Sequence, residues 1–176
     1  MSLDQQINLW NAIGTWIAGI GTLSAVIVSL WLARRSDRVD VRAWVGLGTT
    51  FGGDGSPPID VLLFSITNRA TRPLTVENIG WTVGYWPRRK YCIQTVSDPL
   101  SARCPVELQH GRSARFIVSF KATPNWSSEF AAKFLPNRGW LTLLSLRAQF
   151  HTSVGATVTV RPRQDVLQLL RKAVEA

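Results

Sequence analysis

Two histidines, two cysteines and a few isolated carboxylates are the residues of this chain whose types could carry chemistry. His110 and His151 each flank an expected strand end, and neither belongs to a His-x-x-x-His or Cys-x-x-Cys metal-ligand spacing. No Gly-x-Ser-x-Gly elbow and no phosphate loop of the Gly-x-x-x-x-Gly-Lys-Ser/Thr kind occurs. The run Gly52-Gly53-Asp54-Gly55 lacks a following Lys, and Ser56-Pro57-Pro58 cannot open a phosphate-binding helix in the usual register, so it reads as a surface hairpin loop. Asp60, Glu77, Asp98, Glu107 and Glu129 stand singly, whereas general acid–base work needs converging groups with shifted pKa values. The pattern predicts a protein that is not an enzyme and needs no cofactor or metal. A lipid-acting enzyme using Glu77, His110 and His151 is the remaining catalytic alternative.

Cys92 and Cys104 would face each other if strands over 91–96 and 103–109 formed a hairpin, within reach of a disulfide. A cytoplasmic domain keeps its thiols reduced, and two free, half-buried thiols are the expectation. A second cluster combines charge with aromatic rings: Trp86, Arg88, Arg89, Lys90 and Tyr91. Such interleaving fits a solvated turn, a contact with anionic lipid, or stacking on nucleic-acid bases. The charge balance of +9 invites the last reading. A negative membrane surface rewards the same residues, which makes nucleic acid an unlikely partner.

The elements that position these residues begin with an uncharged run. Only 18% of the 176 residues are charged, against the usual quarter, and residues 5–33 contain none. A bilayer core about 30 Å thick needs roughly 20 apolar residues in a helix, so residues 7–33 read as a transmembrane helix behind an outer tail of residues 1–6. Ile13, Ile17, Ile20, Leu23, Val26, Ile27 and Leu30 cover every face, unlike the stripe of a soluble helix. Trp10 and Trp31 stand about 32 Å apart at 1.5 Å per residue, one for each interface, with Trp16 between them. A cleaved signal peptide is the competing reading, but the leader has no Lys or Arg and no small-x-small cleavage site.

Arg34, Arg35, Arg38 and Arg42 crowd the far end of the span. Basic flanks stay in the cytoplasm, which predicts an outer N-terminus and a cytoplasmic C-terminal domain. These arginines, in a juxtamembrane segment of residues 34–40 and just beyond it, are topology determinants or also ligands for anionic headgroups. Gly14, Ala18, Gly21 and Ala25 recur at the spacing that lets helix backbones approach closely, which makes homo-oligomerisation a second expectation.

From residue 41 to residue 162 the period changes to two. Val41, Ala43, Val45 and Leu47; Leu62, Phe64 and Ile66; Phe116, Val118 and Phe120; Leu144, Leu146, Ala148 and Phe150; and Val154, Ala156, Val158 and Val160 each alternate with polar neighbours. Leu74 and Val76 hold one phase, and Ile79, Trp81, Val83 and Tyr85 the other, so a β-bulge is expected at Glu77-Asn78. Gly80 and Gly84 mark close backbone approach. About eight strands predict a mainly β fold, an antiparallel β-sandwich of immunoglobulin-like type or a small barrel. No helical pattern of useful length interrupts them, and residues 121–139 stay open between a short helix and a long connection. Residues 163–176 read as an amphipathic helix through Val166, Leu167, Leu169, Leu170, Ala173 and Val174, docked on its own domain, a partner or the membrane.

The strand–turn–strand string over residues 61–81, with Asn68-Arg69-Ala70-Thr71-Arg72-Pro73 at its turn, resembles a unit of small bacterial single-span membrane proteins with an immunoglobulin-like β-sandwich. The resemblance extends over residues 7–86. It implies a fold type and carries no activity or site residues; the expected location is the bacterial inner membrane. The resulting expectation is a membrane-anchored interaction or scaffold module with the lipid bilayer and a protein as partners. An oligomerising effector that perturbs the bilayer is the alternative.

Overall fold

The structure, a computed structural model, describes residues 3–36, 40–51, 57–85, 87–96, 98–135 and 140–175. Arg38, Trp86 and the 52–56 loop lie outside the described residues, as do the side chains of Arg34 and Arg35. Two compact units are present, Met1–Val39 and Asp40–Ala176.

The first unit is helix α1, Leu3–Ser36. It starts four residues before the expected boundary and runs three past it. Helix formation does not require apolar side chains: Asp4 suits a helix N-terminus and the glutamines and arginines are good helix formers. Its apolar window is Trp10–Ala33, with no residue buried within the protein. The hydroxyls of Thr15, Thr22 and Ser29 donate to the carbonyls of Asn11, Ala18 and Ala25, four residues back, at 2.8–2.9 Å. Those hydroxyls therefore need no water.

The second unit is mixed, not mainly β. Strands β1 (Val41–Thr50), β2 (Ile59–Asn68) and β6 (Ser113–Ser119) form one antiparallel sheet in the order β1-β2-β6. In the other sheet β3 (Leu74–Val83) pairs with β4 (Lys90–Ile93), β5 (Val106–Leu108) and β7 (Arg147–Thr152), and β7 with β8 (Thr157–Val160). Register explains the core directly. Val45, Phe64 and Phe116 form one cross-strand row and Leu47, Leu62 and Val118 the next. Cys92, Trp81, Ala148 and Val160 form a row of the second sheet, beside Ile79, Phe150 and Val158. Phe64 meets Trp81 edge-on at 5.1 Å between ring centroids and Phe150 at 6.2 Å, so the two sheets bury one core. The expected bulge is present: β3 slips register against β7 between Val76 and Asn78.

Three helices complete the unit: the C-terminal one was expected, while two others lie between β6 and β7, correcting the expectation that no helix interrupts the strands. Helix α2, Trp126–Phe134, exists because Trp126, Phe130 and Phe134 recur every four residues and stack on one face, at 5.0 Å between successive rings. Helix α3, Trp140–Ser145, replaces the first half of the strand expected from Leu144 and Leu146. Two alternating points fit either period. The buried pair is Leu143 and Leu146, three apart, while Leu144 is exposed. Val154 likewise leaves the expected strand for an exposed turn, closed by the Gly155 N–H donating to the Thr152 carbonyl at 3.0 Å.

Helix α4, Gln164–Glu175, docks on its own domain, burying Val166 and Leu170 and packing against β1, α2 and α3. Its entry covers the outer edge of β1: the Arg163 N–H donates to the Val45 carbonyl (2.9 Å) and the Leu47 N–H to Asp165 Oδ2 (3.0 Å). The Arg163 guanidinium lies 4.3 Å from the Trp44 ring centre. At the opposite edge of that sheet, the Ala102 N–H donates to the Arg115 carbonyl and the Ile117 N–H to Ser101 Oγ. Both edges of a sheet that would otherwise invite strand addition are thereby blunted. Asp165→Ala removes two acceptors from α4 and its junction with β1, and should cost about 2 kcal/mol. A urea titration of the full chain in detergent, followed by circular dichroism, measures it.

Candidate functional site

β4 and β5 do not pair with each other, which separates the two cysteines. Both strands lie along the same side of β3, Cys92 opposite Trp81 and Val106 opposite Val76. Both thiols are free. Burial pushes the Cys92 thiol above its ordinary value, so it stays protonated at neutral pH and is a poor nucleophile. Gly80, opposite Ile93, permits the pairing: a Cβ there would lie 2.4 Å from the Cys92 carbonyl oxygen.

His110 and His151 are held by different elements. His110 Nδ1 lies 3.0 Å from the Ala70 carbonyl oxygen, and His151 Nδ1 lies 3.3 Å from the Thr157 hydroxyl. Glu77 sits in the bulge beside Asn78, which pairs with His151. Among the described residues no three His, Cys, Asp or Glu side chains converge as a metal site would require.

Two concave surfaces flank β4. The first, about 490 Å³, lies between the end of β4 and α2, with Trp126, Phe130 and Phe134 as its apolar wall and Cys92 and Gln94 opposite. Gln94 fixes this wall: its Oε1 accepts from the indole N–H of Trp81 (3.1 Å) and of Trp126 (3.2 Å). The Glu129–Lys133 pair at the rim, 3.2 Å apart, is solvent-exposed and adds little stability. This cleft can receive an apolar side chain. Tyr91 and Ile93 are exposed large side chains of the adjoining strand.

The second surface, about 220 Å³, lies on the face of the second sheet turned away from the core. It is formed where the 84–89 turn folds over β3 and β7. Gly84, at φ +92°, reverses the chain so that the Arg88 N–H donates to the Tyr85 carbonyl at 2.9 Å. The Gly84 N–H donates to Ser145 Oγ at 2.9 Å, which ties the turn to α3. Arg88, Arg89, Lys90 and Tyr91 of the basic–aromatic cluster are all exposed, and of these Arg89 lines this pocket. Sequence reasoning missed Thr82, Arg147 and Gln149, which complete the lining. The available signal was the polar phase of β3 and β7, opposite the apolar rows.

In α1, Gly14, Ala18, Gly21 and Ala25 fall within a narrow arc at 100° per residue and are exposed. A Cβ at Gly14 or Gly21 would meet nothing within 4 Å. Trp10, Trp16 and Trp31 are exposed, and Arg42 stands on β1.

No family model matches the chain, and no curated protein matches it in sequence. Solved structures that match include the X-ray structure of Northeast Structural Genomics Consortium target SoR45, 6% identical, covering 72% of this chain and 81% of that one at a TM-score of 0.29. A protein from Archaeoglobus fulgidus is 13% identical, with 68% and 86% covered and a TM-score of 0.26.

Proposed function

We propose that this chain is a non-enzymatic interaction module anchored in the bacterial inner membrane by one span, its immunoglobulin-like β-sandwich on the cytoplasmic side. The carrying observation is α1: a 24-residue window, Trp10–Ala33, without a charge and without one side chain buried in the protein. Exposed Ile, Leu, Val and Trp over that length require an apolar surrounding, and a bilayer supplies it. The orientation rests on Arg34, Arg35, Arg38 and Arg42. The cleft between β4 and α2 is the surface offered to a protein partner, by its aromatic wall and the exposed Tyr91 and Ile93.

The chain should stay in the membrane pellet after an alkaline carbonate wash. Ile20→Arg, which adds a charge at the middle of the span at about 3 kcal/mol, should release a large fraction of it. A phosphatase reporter fused after Ala176 should be inactive; activity on the outer side would reverse the orientation. Co-purification from detergent should yield a partner that Ile93→Asp loses, and an unchanged set of partners would remove the cleft from the reading. The face of Gly14, Ala18, Gly21 and Ala25 supports the competing reading of an oligomerising effector. Gly21→Leu would abolish assembly under that reading and leave an anchor unaffected.

A further inference from the structure

We propose that the pocket under the 84–89 turn is a binding site for a small phosphate ester, independent of the membrane reading above. Its floor is the outward face of β3 and β7, where Thr82 pairs across the ladder with Arg147 and Gln149 pairs with Thr159. Cross-strand partners place their Cβ atoms about 5 Å apart, so Thr82 and Arg147 are neighbours on this face. Arg89 closes the pocket from the turn.

Three observations point to an anion. The described residues lining the pocket include two guanidinium groups and no carboxylate. Arg147 is fixed in place: its Nη1 donates to the carbonyls of Leu144 (2.7 Å) and Leu146 (2.8 Å). Neither bond engages Nε or Nη2, which remain to meet a ligand, and a guanidinium held in this way loses little freedom on binding. The third observation is the most specific. Thr82 keeps only 7% of its surface exposed, and its Oγ1 is buried without a hydrogen-bond partner. A buried hydroxyl left unpaired is costly, and a ligand oxygen would satisfy it.

The donors favour phosphate over carboxylate. Two guanidinium groups, the Thr82 and Thr159 hydroxyls and the Gln149 amide exceed what two carboxylate oxygens accept in one plane. The three terminal oxygens of a phosphate monoester project tetrahedrally and can use donors from the floor and from the turn together. At about 30 Å³ for each water, a 220 Å³ pocket has space for about seven waters, enough for a phosphate with a short polyol arm. The same chemistry is presented by a soluble phosphate ester and by a lipid whose headgroup ends in phosphate.

The test uses the full chain in a neutral detergent. Glycerol phosphate, phosphatidic acid in mixed micelles and phosphatidylcholine in mixed micelles are titrated separately, with calorimetry and the unfolding midpoint as readouts. Glycerol phosphate should bind saturably and raise the midpoint. Arg89→Gln and Thr82→Val should each weaken binding about tenfold, the typical loss for one hydrogen bond to a charged group. Thr82→Val should also raise the midpoint of the unliganded protein, because it removes an unpaired buried hydroxyl; a Thr with a purely structural bond would lower it. Binding of phosphatidic acid alone assigns the site to a lipid headgroup, and binding of glycerol phosphate to a soluble ester. The proposal is overturned if neither binds, if phosphatidylcholine or sodium chloride of equal ionic strength gives the same shift, or if both variants bind like the parent.

Discussion

Trp81→Ala should leave the Asp40–Ala176 unit at the edge of unfolding, with a loss of about 4 kcal/mol, because Trp81 joins three layers at once. Its ring is fully buried and meets Phe64 of the first sheet at 5.1 Å and Phe130 of α2 at 5.4 Å. Its indole N–H also holds Gln94 in place for Trp126. Truncation opens a cavity that backbone on both sheets cannot follow, and total stabilities of about 5–15 kcal/mol leave little in reserve. The unfolding midpoint in urea, read by circular dichroism on the full chain, measures the loss. Trp81→Phe should recover more than half of it, since the ring packing returns without the Gln94 bond. A Trp81→Ala midpoint within experimental error of the parent would refute this account of the core.

Asn68→Asp should be of similar size, about 3–5 kcal/mol, by a different route. Asn68 is fully buried at the end of β2, and every polar group of its side chain is used. Its Nδ2 donates to the carbonyls of Arg72 and Leu108, both at 2.8 Å, and its Oδ1 accepts from the Ala70 N–H at 2.9 Å. One side chain thus fastens the β2–β3 turn to the end of β5. A carboxylate cannot donate, so the buried Leu108 carbonyl and the part-buried Arg72 carbonyl lose the Asn68 donor and face a negative charge. Burial raises such a carboxyl's pKa above its unfolded value, about 3.9. The folded state then binds the proton more tightly, and the variant regains stability as pH falls from 7 toward 4. Thermal unfolding at both pH values checks the sign. An equal deficit at the two would mean that lost donation alone, and not charge, causes the damage.

Both predictions rest on residues whose importance was unevenly visible in the sequence. Asn68 opens a turn-like run after an alternating strand, so its place at a turn was legible. That it reaches Leu108, forty residues on, was not, because nothing local relates the two. The bulge at Glu77-Asn78 and the close approach at Gly80 were legible because phase and side-chain absence are properties of the local chain. Helix α3 was misread where two alternating leucines were taken as period two, and burial of Leu143 with Leu146 decided otherwise. The hairpin of residues 91–96 with 103–109 does not form, for a related reason, and both thiols are free. Proximity in sequence favours a hairpin, but both strands pair with β3 along one edge.

The phosphate pocket shows the same division. Arg89 drew attention through its charged and aromatic neighbours, yet Thr82, Arg147 and Gln149 are ordinary polar residues of alternating strands. Only strand order places them side by side, and only the folded structure buries the Thr82 hydroxyl without a partner.

By itself the sequence determined an uncharged span long enough for a bilayer, the basic flank behind it, the alternation of most strands and the amphipathic character of α4. These follow from composition and short-range period, which backbone geometry converts directly into faces. Tertiary structure decided which strands pair, where α4 docks, that the cysteines stay apart and that a cationic pocket exists. Those outcomes depend on long-range register, where burial of one shared core outweighs any preference that neighbouring residues carry alone.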